Sequence, residues 1–132
     1  MNDTIEILRT LGVQPTPQRI AVADYVLNTE GHPSADEVLA RSRETCPTIS
    51  RASVYNTLNL LVDKGLLKAH TLREGAVVFD RNTERHHHFI DEESGEIHDI
   101  PWEHLAVSGG SNLADFQIRD YQVILRGRKK ES

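Results

Sequence analysis

The chain changes its hydrophobic period once. Up to residue 64 apolar side chains recur at helical spacing; after Gly65 they alternate, as strands do. Ile5, Leu8 and Leu11 mark a first short helix over residues 4–11, stopped by Gly12. Thr16-Pro17 supplies a cap and a proline in the first turn, opening a second helix with Ile20, Ala23, Val26 and Leu27 on one side. Gly31-His32-Pro33 breaks it. Ser34 with Glu37 three residues on is a capping-box pattern, and Val38 and Leu39 begin a third stripe that Pro47 ends. Ser50 caps a fourth helix running to Lys64-Gly65, with Val54, Leu58, Leu61 and Val62 on its inward face.

Residues 66–72 and 76–80 then read as strands joined at Arg73-Glu74-Gly75, and 86–92 with 96–100 as a second hairpin about Ser94-Gly95. A Gly/Ser-rich break at 108–111 precedes a last strand, roughly Phe116–Leu125, that alternates Ile118, Val123 and Leu125 with polar residues. Helices followed by a hairpin give the order of a winged helix-turn-helix. The expected fold class is α+β: an N-terminal winged helix-turn-helix over residues 1–82, then a small α/β domain over 83–132. A β-rich lobe of about 50 residues has little core and exposed strand edges, so it gains stability by pairing with a copy of itself. A homodimer follows as an expectation.

Composition narrows the class. Of 132 residues, 38% are hydrophobic and 27% charged, which is the balance of a soluble globular chain rather than a disordered one. The single cysteine, Cys46, excludes an internal disulfide and a cysteine-built zinc site. No apolar run is long enough for a membrane helix and no signal-peptide core is visible; the expected compartment is the cytoplasm, with no membrane partner. A net charge of -5 argues against wholesale coating of nucleic acid, but leaves room for a local basic face.

The candidate chemistry centres on His86-His87-His88. In a strand, His86 and His88 point one way and His87 the other. Asp80 stands six residues before the triplet, Asp99 eleven after His88, and His32 lies in the helical half. A nitrogen and oxygen set without thiolate suits Fe(II), Mn(II), Zn(II) or Ni(II). On the fourth helix Arg51, Tyr55 and Asn56 lie near the start and away from the core face, where a recognition helix meets the major groove. Arg19 in the second helix and Arg73 at the hairpin tip add candidate phosphate and minor-groove contacts. Winged helices also serve as protein-docking modules, so double-stranded DNA is the favoured partner and a protein the alternative.

Pro15-Thr16-Pro17-Gln18-Arg19, Gly31-His32-Pro33-Ser34-Ala35-Asp36-Glu37, Ser53-Val54-Tyr55-Asn56-Thr57-Leu58 and Phe79-Asp80 followed by His86-His87-His88 resemble the ferric uptake regulator superfamily, in order and over nearly the whole chain. The resemblance implies metal-dependent control of transcription, not an enzyme, and a regulatory site on His32, Asp80, His86, His88 and Asp99. Aspartate at both 80 and 99 resembles the peroxide-responsive branch, in which bound Fe(II) and peroxide oxidise a histidine ligand; the equivalents here are His32 and His86. The histidine run and the basic end at 125–130 also resemble the haem-linked iron-response regulators, so haem stands beside Fe(II) or Mn(II) as an expected cofactor.

Two departures from the family pattern stand out. The paired cysteines of a structural zinc would fall on Asp91 and Ser94 and near Lys129 and Ser132, so no four-cysteine zinc can form. Arg85 occupies one position of the family's additional histidine and carboxylate site. His87, His98 and His104 are then a different second site or, as the preferred expectation, solvated side chains. A small metallo-hydrolase or iron oxygenase is the rival class, since histidines and carboxylates with an open position also serve catalysis.

Overall fold

Three helices start on side-chain caps. In the computed structural model, which describes residues 3–73 and 76–131 apart from the side chain of Arg73, the helices are α1 (Asp3–Thr10), α2 (Pro17–Val26), α3 (Ala35–Ser42) and α4 (Arg51–Asp63). Thr16 accepts the Arg19 amide, Ser50 the Ser53 amide, and Ser34 with Glu37 closes a reciprocal capping box. The strands are β1 (Lys68–Arg73), β2 (Ala76–Asp80), β3 (His86–Asp91), β4 (Ile97–Pro101) and β5 (Ile124–Gly127). Two compact units result, Met1–Thr83 and Glu84–Ser132.

In the first unit α1–α4 bury one apolar cluster. Leu8, Val22, Val38, Val54, Leu58 and Leu61 are all 0% exposed, each such burial contributing roughly 1.5–3 kcal/mol. Cys46 is half-buried against this cluster. The third helix stops at Ser42, ahead of Pro47, because turns through Thr45 and Cys46 take over the Ser42 carbonyl. Gly65 ends α4 at φ 82, a conformation glycine adopts without the Cβ penalty. β1 and β2 form an antiparallel hairpin with Lys68 opposite Asp80 and His70 opposite Val78. Its turn at Glu74 and Gly75, and the Arg73 side chain, lie outside the described residues.

In the second unit β3 is the centre of a three-stranded sheet ordered β4-β3-β5. β4 runs antiparallel to β3, while β5 runs parallel to it. This corrects the expected last strand: residues 116–123 are not extended into the sheet, and β5 holds only Ile124–Gly127. Alternating apolar residues do not make a strand without a neighbour to pair with, and β3 offers its second edge only over His88–Asp91. Ile90 is the one buried hydrophobic residue among the described residues of this unit. Among the described residues no helix is long and apolar enough to cross a membrane.

Candidate metal centre

Within the first unit, His32 and Asp80 are brought together by a short strand-like segment. Pro33 accepts the Phe79 amide at 2.9 Å, and Ser34 bridges Val78 in antiparallel fashion, so the chain after Gly31 runs alongside β2. His32 Nε2 then lies 3.3 Å from Asp80 Oδ2, each side chain 4% exposed. The Asn82 amide donates to Asp80 Oδ1 at 2.9 Å. A buried carboxylate needs donors or a cation around it, and the Asn82 amide is one such donor.

The second unit presents His86, His88 and Asp99. His86 and His88 share one face of β3, with ring centroids 4.6 Å apart, and Asp99 on β4 sits directly opposite His88. His86 Nε2 is 3.4 Å and His88 Nε2 3.7 Å from the same oxygen, Asp99 Oδ1. The Nδ1 atoms face the other way. His86 Nδ1 meets the Glu84 carbonyl, which only accepts, so that nitrogen carries its hydrogen. His88 Nδ1 meets Gln122 Oε1 at 3.1 Å, with the same consequence as the amide is placed. In the neutral tautomers both Nε2 atoms therefore turn lone pairs towards a carboxylate oxygen. Such a convergence of acceptors is relieved by a proton on an imidazole or by a cation among them, and an Nδ1–H anchored on a carbonyl is how metal-binding imidazoles are oriented. Metal–ligand bonds of about 2.0–2.1 Å put neighbouring ligand atoms about 3–3.5 Å apart, close to the spacings found in both units.

His87 is not solvated. It is 0% exposed on the opposite face of β3, stacked on Trp102 at 4.4 Å, and its Nδ1 accepts the Val123 amide at 2.9 Å. Burial first, then the neighbouring His88, His86 and Arg85, lowers its pKa, so it stays neutral and acts as a wedge between β3 and the start of β5. His98 is half-buried on β4 and only His104 is exposed. Arg85 lies 3.9 Å over the Trp102 ring and 3.4 Å from Asp120. Arg85, the departure from the family's additional site, thus sets a guanidinium on an aromatic face.

Where the zinc cysteines would fall, Asp91 Oδ1 accepts the Glu93 amide at 2.9 Å and the Ser94 amide at 3.4 Å. These bonds, with the Glu93 amide foremost, hold the Asp91 carboxyl below its usual pKa, and Lys129 adds to the effect. The turn is closed by a side chain rather than by a metal. Sequence reading missed this role, although aspartate two residues before a turn is the signal of an Asx turn.

The nucleic-acid candidates lie in the first unit. Tyr55 is 43% exposed and Arg51 and Asn56 are exposed on the outward face of α4. Arg51 is paired with Asp36 of α3, which raises its pKa further and keeps the guanidinium charged. Arg19 donates to the Gln14 carbonyl at 3.1 Å. Between α4 and the hairpin a groove of about 510 Å³ is lined by Asp36, Tyr55, Asn59, Ala69, Val77 and neighbours.

The profile of the Ferric uptake regulator family matches residues 10–126. The peroxide-responsive repressor PerR of Staphylococcus epidermidis is 33% identical over 133 residues, covering 99% of this chain and 89% of that protein. The repressor of the same name from Staphylococcus aureus (strain USA300) is also 33% identical, at 99% and 90% coverage. Among solved structures, a zinc-bound manganese uptake regulator superposes with TM-score 0.69 at 25% identity, covering 95% of this chain and 97% of that one. The Vibrio cholerae ferric uptake regulator superposes at 0.68 with 23% identity, covering 96% and 99%.

Proposed function

The chain belongs to the ferric uptake regulator family, and from that premise we propose that it is a DNA-binding repressor switched by one divalent ion shared between its two units. It is a metal-responsive regulator of transcription and not an enzyme. In this reading His32 and Asp80 from residues 1–82 and His86, His88 and Asp99 from residues 83–132 each give one ligand atom to the ion. The observation that carries it is the convergence of the His86 and His88 Nε2 lone pairs on Asp99 Oδ1, with the paired His32 and Asp80 supplying a matching half.

Ligands drawn from both units restrict the hinge between them. Arg19, Arg51, Tyr55, Asn56 and Arg73 are proposed to meet DNA, and the restricted hinge sets two such surfaces of a homodimer about one helical turn apart. Metal and DNA then favour each other reciprocally, with a coupling of about 1–3 kcal/mol. The second unit supports self-association: Phe116, Ile118, Tyr121 and Leu125 are exposed, and Ile90 is the one buried hydrophobic residue among its described residues. Fe(II) or Mn(II) is the proposed occupant, with Zn(II) as the tighter ligand in vitro by intrinsic affinity. Were the ion Fe(II), held by these residues, it would supply one-electron chemistry towards peroxide, and His32 and His86 are the side chains proposed to give up the remaining electrons and be oxidised.

The test is a gel shift with a duplex selected from a random pool, with and without Mn(II). Wild type should bind only with metal, and His86→Ala should lose that stimulation while keeping its circular dichroism. Equal binding by the variant, with or without metal, would overturn the proposal.

A further inference from the structure

His88 is held by a side chain that is not among the proposed ligands. It is 0% exposed, and its Nδ1 lies 3.1 Å from the Oε1 of Gln122, 34 residues further on. The parallel register brings this about. Ile124 pairs with His88; just ahead of it the Val123 carbonyl accepts the His88 amide and the Val123 amide donates to His87 Nδ1. Before Gln122, the Tyr121 ring lies 4.9 Å from Trp102, and Asp120 pairs with Arg85, whose guanidinium covers the same Trp102 ring. Residues 120–123 thus meet the neighbourhood of residues 85–88 one contact at a time, and that path delivers Gln122 to His88.

We propose that Gln122 is a positioning residue for the metal centre: its Oε1 accepts the Nδ1–H of His88 and so commits Nε2, the nitrogen facing Asp99, to a divalent cation. The inference rests on the metal-centre reading above. A neutral imidazole carries one ring hydrogen, so an acceptor at Nδ1 leaves the lone pair on Nε2. That nitrogen is 3.7 Å from Asp99 Oδ1, the oxygen that His86 Nε2 also faces. The two histidines reach this tautomer by different means. His86 Nδ1 meets the main-chain carbonyl of Glu84, whereas His88 Nδ1 meets a side chain that substitution can change. An amide oxygen is a neutral acceptor. A carboxylate at the same place would draw the proton more strongly and make Nε2 a more basic ligand. Glutamine therefore holds the affinity of the centre below the level that glutamate would give, which keeps the ion releasable.

The experiment titrates the full chain with Co(II), whose visible absorption reports the ligand set. Gln122 is exposed, so its variants leave the packing of the sheet alone. Gln122→Leu removes the acceptor and should weaken Co(II) binding by about tenfold with the wild-type absorption bands, a modest loss for such a contact because water reaches the vacated place. Gln122→Glu supplies a carboxylate of the same reach and should bind Co(II) more tightly than wild type. Gln122→Asp carries the same charge without the reach and should bind less tightly than wild type. If Gln122→Leu lowers the melting temperature of the metal-free protein, Gln122→Ser, polar and too short to reach Nδ1, should show the same loss of affinity. Wild-type affinity in Gln122→Leu or Gln122→Ser overturns the inference. So does equal tightening in Gln122→Asp and Gln122→Glu, which makes the effect one of charge alone. His86→Ala separates the two readings. Its loss of Co(II) alongside an unaffected Gln122→Leu removes only the role of Gln122, whereas wild-type affinity in His86→Ala removes the centre.

Discussion

Arg51 in the first turn of α4 is paired with Asp36 in the first turn of α3. Both side chains are more than half exposed, 60% and 73%, so water screens the pair and a phosphate can displace the carboxylate. Asp36 competes for the guanidinium that the DNA reading needs and adds a negative charge to the same surface. Asp36→Asn should therefore tighten duplex binding at low salt. Arg51→Ala should weaken it and reduce the slope of log K against log salt by about 1. Fluorescence anisotropy across a salt series measures both, and unchanged slopes in the two variants would remove Arg51 from the interface.

Metal removal should be visible in stability before it is visible in DNA binding. An ion that binds only the folded chain adds RT ln(1 + [L]/Kd), about 2.7 kcal/mol at a concentration 100 times Kd. A chelator should lower the melting temperature of the Mn(II)-loaded protein, while His88→Ala should melt alike with and without chelator. Calorimetry that finds no shift in the wild type would show that no ion favours the folded form.

Asp91 predicts an acid limit. Its folded pKa is depressed, so its contribution is present above the unfolded value of about 3.9 and is lost as pH falls through the lower folded value. Asp91→Asn keeps an oxygen acceptor for the Glu93 and Ser94 amides but not the charge. The variant should be less stable than wild type near neutrality, and the difference should close below about pH 4. Urea midpoints measured down the pH series report this; a constant gap would mean that the carboxylate charge contributes nothing.

Peroxide added to the Fe(II)-loaded chain under otherwise anaerobic conditions should add one oxygen to a peptide holding His32 or His86. Peptide mass spectrometry locates it. Oxygen confined to Met1 or Cys46 would remove peroxide as the signal, and a haem absorption band on haem addition would redirect the search.

What the sequence discloses divides by range. The caps at Thr16, Ser34 and Ser50 are local hydrogen bonds, so residues three apart suffice to place the starts of α2, α3 and α4. His86, His88 and Asp99 were legible because strand alternation and a tight hairpin put them on one face. β5 was misplaced because its partner lies some 35 residues away and runs parallel, which no local pattern encodes. His87 was misread as solvated because the Trp102 ring that covers it is distant in sequence. Gln122 was passed over because one exposed glutamine carries no signal until the parallel register brings it beside His88.

The order β4-β3-β5 has a consequence for biosynthesis. The histidine strand receives its second neighbour only when residues 124–127 have left the ribosome, since the Val123 carbonyl accepts the His88 amide and β5 completes that edge. A nascent chain can assemble its helical unit early, but the histidine strand is finished last. A premature stop before Val123 would release a polypeptide with an intact winged helix and a histidine strand bare along one side.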